Sequence, residues 1–193
     1  MRSLSSASVL LLLALGCAGA PPATGPAPAW AFASATPSAG KELRMRSQSR
    51  YIQVSIDGDS IFGATWQLQH GGTYIRGVGF DNAQVNVSLN GTNATGTVRN
   101  APFSVDMKPL PDGVTQVTGL FGGSVLSDFR ISPKVFQGKL GTCSFDLTFN
   151  GTRYDGNSSC NGQITMTSLE LPVAMAGWTD LEVATMLAIV LGT

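Results

Sequence analysis

From Tyr51 onward, apolar and polar residues alternate in short runs that are broken by Asp-Gly and Asn-Gly turns. Four segments share one form, apolar-x-apolar, a four-residue turn, then apolar or Ala, any residue, and Gly: VSIDGDSIFG (54–63), VSLNGTNATG (87–96), FRISPKVFQG (129–138) and LTFNGTRYDG (147–156). A further copy, Val105 to Gly119, keeps the ends but carries a longer loop through Pro109, Pro111 and Gly113. Period-2 alternation bounded by such turns reads as β-hairpins, so each repeat is one hairpin.

The alternation assigns the faces. Ile52, Val54 and Ile56, Val85, Val87 and Leu89, Phe103, Val105 and Met107, Phe129 and Ile131, and Phe145, Leu147 and Phe149 fall on one side of their strands. Gln53, Ser55, Asn86, Ser88, Ser104, Asp106, Asp128, Arg130, Asp146 and Thr148 fall on the other, which is therefore wet. A four-residue turn at Asn150 to Arg153 sets Phe149 against Tyr154 and Leu147 against Gly156, and so places Cys143 opposite Cys160. Direct cross-strand neighbours lie about 4.5–5.5 Å apart, within reach of a disulfide. The same register puts Gly63, Gly96, Gly138 and Gly156 opposite Val54, Val87, Phe129 and Leu147, where a glycine leaves room for a bulky neighbour or bends the sheet.

These features predict an all-β fold: an antiparallel β-meander of repeated hairpins, roughly ten strands closed as a barrel or folded as a sandwich. An outer-membrane barrel also alternates, but it needs strands of about 9–11 residues and aromatic girdles, and the runs here are shorter. After Pro172 the period changes. Thr179 as N-cap with Glu182 three residues later forms a capping box, with Trp178 placed to staple onto Val183, and predicts a helix to about Leu191 stopped by Gly192. Its apolar residues on every side demand burial, expected on the open end or edge of the sheet.

The N-terminus reads as an export signal: Arg2, an apolar run from Val9 to Leu15, then small residues. Leu13-Ala14-Leu15-Gly16-Cys17 resembles a bacterial lipobox, although its leucine sits two places before the cysteine rather than three. The resemblance implies lipidation at Cys17; cleavage after Ala20 is the competing reading. The expected organisation is a signal sequence over 1–17, a disordered Pro/Ala-rich tether over 18–48, a hairpin-repeat domain over 49–171 and a capped helix within 172–193. With Cys17 lipidated or removed, Cys143 and Cys160 are left as a pair, as in an exported chain with one disulfide.

Composition narrows the function more than it identifies it. Lys plus Arg equal Asp plus Glu at 12 each, which removes the electrostatic ground for nucleic-acid binding. His70 is the single histidine, so no histidine-based metal cluster fits within one chain. No catalytic residue, metal ligand set or cofactor is assigned. Asp57 and Asp59 around Gly58 read as turn chemistry. Asn-x-Ser/Thr sequons at Asn86, Asn90, Asn93, Asn150 and Asn157 read as by-products of turns and strands. The stretch from Trp66 to Phe80 escapes the repeat, and Trp66, His70, Tyr74 and Arg76 in it suit sugar stacking or protein contact. The expectation is a non-catalytic exported cell-envelope protein, anchored by lipid at Cys17 or else periplasmic or secreted, that binds an envelope protein or a glycan. The alternatives are a hydrolase using Asp106, Asp128 and Asp146 aligned on neighbouring strands, or a self-assembling surface protein.

Overall fold

The computed structural model describes residues 40–79, 82–121 and 125–192. The calls on the leader, on Cys17 and on most of the tether lie outside them. Strands β1 (Glu42–Ser47), β2 (Tyr51–Asp57), β3 (Ser60–Gly63), β4 (Gln67–His70), β5 (Tyr74–Val78), β6 (Gln84–Asn90) and β7 (Asn93–Val98) make the first half of the sheet. Strands β8 (Ala101–Pro109), β9 (Thr115–Phe121), β10 (Val125–Ile131), β11 (Val135–Leu140), β12 (Cys143–Phe149), β13 (Tyr154–Cys160) and β14 (Gln163–Glu170) make the second. Each pairs antiparallel with its sequence neighbours, and β14 returns to β1 to close a barrel.

Among the described residues, fourteen strands replace the roughly ten expected. The additional strands come largely from β4 and β5, too short to show a period, and from β1, which lies where a tether was expected. Leu43 and Met45 alternate into the core from β1, and that pair is enough to bring the segment into the sheet.

The hairpin registers are those the repeat dictates: Val54 faces Gly63, Val87 Gly96, Val105 Gly119, Phe129 Gly138 and Leu147 Gly156. Cys143 faces Cys160 and the two form a disulfide with Cα atoms 4.2 Å apart. Gly77 belongs to the same series, between Leu68 and Val85. From one of these glycines to the next the register slips by two residues, and once around the barrel it advances by about 14 residues. The glycines therefore form a level, inward-facing belt at mid-height on β3, β5, β7, β9, β11 and β13. At Gly96 and Gly119 a Cβ would lie 2.0 Å from the carbonyl oxygens of Asn86 and Ser104. The belt is where the wall folds sharply on itself, which closed curvature requires.

Helix α1 (Asp180–Leu191) fills the lumen. A closed sheet has no edge on which to pack, so the expected placement at an end or edge gives way to threading. The helix enters at the end of the barrel where β14 finishes and β1 begins, called here the entry end, and runs to the far end. Its N-terminus carries the reciprocal capping box, with Glu182 N–H donating to Thr179 Oγ1 at 3.3 Å and Thr179 N–H to the Glu182 carboxylate at 2.5 Å. Thr115 Oγ1 donates to Asp180 at 3.1 Å at the entry end. At the far end Arg50 donates to the Leu191 carbonyl at 3.2 Å, and Gly192 packs against Leu140. Every residue from Leu181 to Leu191 is buried.

The dimensions match. A barrel of this strand number and stagger has a radius of about 12–13 Å. A helix with its side chains takes about 5–6 Å of that, and the inward side chains, among them Phe103, Phe121, Phe129, Phe136 and Phe145, fill the rest. Twelve helical residues and a tilted seven-residue strand both cover about 18 Å along the axis. The chain thus fills its own interior.

Candidate functional site

With the lumen filled, chemistry is left to the wall and the two ends. The four residues singled out in the sequence do not stay together. His70 points inward at the entry end, buried, with Nε2 2.7 Å from Glu182 Oε1 and its ring stacked on Trp178 at a centroid distance of 4.0 Å. Trp178, expected to staple onto Val183, makes this stack. Trp66 is buried near the far end, its indole against Gly79. Both serve as closures of the barrel. Tyr74 and Arg76 alternate outward from β5, with the Arg76 guanidinium 4.6 Å from the centre of the Tyr74 ring.

Arg76 borders a shallow groove on the outer wall. Ser60 and Phe62 of β3, Gln67 and Gln69 of β4 and Arg76 of β5 line it, over a floor of Leu68 and Gly77, with a volume of about 350 Å³. The register explains the grouping: Phe62 sits beside Gln67, and Ser60, Gln69 and Arg76 lie in one row. Gly77, one of the inward-facing belt glycines, lets β5 come close to the β4 backbone, and the outer wall dips at that point. Phe62 is 52% exposed, which is unusual for a phenylalanine on a sheet with an apolar interior available one residue away. Gln67 also lines a second dent of about 320 Å³ with Thr65, Val78 and Asn82, so the groove continues toward the far end. Phe62 and Gln69 were missed in the sequence, and Gln67 was noted only as part of the non-repeating stretch, because each sits in a strand too short to mark its outward face.

The rest of the wall is arranged differently. Asp106, Asp128 and Asp146 lie on β8, β10 and β12, so a strand separates each from the next and neighbouring carboxylates are not formed. Two strand widths are about 9–10 Å, wider than the pair in retaining glycoside cleavage and at the upper end of that in inverting cleavage. Each accepts a hydrogen bond from an adjacent amide: Asn93 to Asp106, Gln116 to Asp128 at 3.1 Å, and Gln137 to Asp146 at 2.8 Å. Gln53 likewise donates to Glu42 at 2.8 Å. The side chains of Gln67 and Gln69 form no hydrogen bond among the described residues, and from Ser60 to Val98 no described residue is acidic.

A third cleft, of about 340 Å³, opens at the far end among Arg50, Tyr51, Gln53, Trp66, Arg99 and Val190. Its Arg50 is committed to the end of the helix, and burial lowers the pKa of that guanidinium. Burial also raises the phenol of Tyr154, which donates to the Ser132 carbonyl at 2.9 Å. Both are structural contacts of the interior. Among the described residues no group of three or more His, Cys, Asp or Glu could hold a metal ion. No described helix is long and apolar enough to cross a membrane. Comparison of the chain with protein-family models, with curated proteins and with solved structures returns no match.

Proposed function

We propose that this is a non-catalytic exported protein, held to the cell envelope through Cys17, that binds glycan in the outer-wall groove of β3 to β5. The observation that carries the reading is Phe62, exposed beside the uncommitted amides of Gln67 and Gln69. An aromatic face suits the apolar face of a pyranose ring, and amides supply both donors and acceptors to hydroxyls. Such a surface binds without any reacting group. The polar outer wall, rich in Ser, Thr, Asn, Gln and Asp, faces water rather than lipid. Attachment therefore falls to the segment before β1, which joins the barrel at its entry end, where Lys41 pairs with Asp57 at 2.5 Å. A second reading, self-assembly, is favoured by Ile164 and Met166, which stand 74% and 78% exposed on β14.

Retention of the protein on polysaccharide from its own envelope tests the glycan reading, with Phe62→Ala as the control. Retention lost in the variant supports it; equal retention sinks it. For the anchor, metabolic labelling with a fatty-acid analogue should give a signal that Cys17→Ser removes, and the absence of any Cys17-dependent signal would leave secretion as the route. Concentration-dependent oligomers abolished by Met166→Ser, with the envelope polysaccharide ignored, would transfer the function to the second reading.

A further inference from the structure

We propose that the groove selects acidic saccharides, and that Arg76 is the residue that reads their carboxylate; this rests on the glycan reading above. The argument starts from charge. Arg76 is the sole lysine or arginine on β3 to β7, and none of the described residues on those strands is acidic. Elsewhere on the barrel Lys139 pairs in register with Asp128 and Arg153 holds Asp155 at 2.8 Å, while Arg130 lies between Gln116 and Gln137, two residues along its strand from Asp128. Arg76 has Gln69 and Asn86 as its register neighbours.

Its orientation is also constrained. The Tyr74 ring supports the guanidinium from one side, which limits the freedom of a side chain otherwise costly to order. A planar fork held in place matches a carboxylate in two parallel hydrogen bonds, a geometry lysine lacks. Phe62 lies on the other side of β4 and two residues along the strand direction, so the backbone positions of the aromatic platform and of Arg76 are about 12 Å apart. One sugar ring on Phe62 and a carboxylate on the following ring would engage both, with Gln67 and Gln69 between them. The continuation of the groove past Gln67 leaves room for further rings.

Matched probes separate the charge from the sugar. Oligogalacturonate and oligoalginate, each against its methyl ester, keep the same rings and differ in the carboxylate. The protein should bind at least one acid about ten-fold or more tightly than its ester, with the preference falling as salt rises. Arg76→Gln should bring the acid down to the level of the ester, Arg76→Lys should restore it only in part, and Phe62→Ala should weaken acid and ester together. Equal affinity for acid and ester, or an acid preference that survives Arg76→Gln, would overturn the assignment of Arg76 while leaving a neutral glycan site standing. Binding of no saccharide in the series, with the variants folded by circular dichroism, would overturn the glycan reading and this inference with it.

Discussion

Gly96 and Thr97 are adjacent on β7 and differ in almost everything that constrains them. At Gly96 one added carbon would meet the Asn86 carbonyl at 2.0 Å. Thr97 stands in solvent between Asn86 and Pro102. The contrast repeats around the barrel: inward positions are set by the belt, the aromatic ring layers and the helix, while outward positions answer only to neighbouring polar groups. A wall built this way can change its outer chemistry without disturbing the inner packing, and the groove at Phe62 and the amide-bonded carboxylates of Asp106, Asp128 and Asp146 are two uses of that freedom.

The largest effect expected from testing this contrast is at Leu187, fully buried on the lumen helix. Leu187→Asp places an unpaired charge in an apolar interior, and chemical denaturation should show a loss above about 4 kcal/mol or no cooperative transition. Next comes the belt. Gly96→Ala should cost about 3 kcal/mol because backbone must move to admit the Cβ, whereas Thr97→Ala should stay within about 0.5 kcal/mol. A comparable loss at both would erase the distinction between the faces. The smallest change is expected for Gln116→Ala, within about 0.5 kcal/mol, since its bond to Asp128 is exposed.

The inward face was largely legible from sequence because it has a period. Val54, Val87, Phe129 and Leu147 recur at a fixed distance from glycines, and that spacing gave the hairpin registers and the pairing of Cys143 with Cys160. Period failed where strands were short: Gln67–His70 offers too few alternations to be counted, so the strand number fell short. The position of the helix was hidden for another reason, since apolar residues all round demand burial without saying in what. His70 could not be read from its neighbours because its partner Glu182 is 112 residues away. The groove escaped for the same reason as the strand number, since Phe62 and Gln69 become a pair of landmarks only once β3 and β4 are aligned.

The helix that fills the lumen follows every strand along the chain. During synthesis the wall therefore emerges before its filling, and an unplugged ring would show water a lining of valine, leucine and phenylalanine. A transcript or translation stop anywhere before Trp178 yields a product that cannot hide that lining and is open to proteolysis, whereas a chain that has delivered its last turn of helix is sealed from within. Survival of the wall is thereby made to depend on the arrival of the helix that seals it.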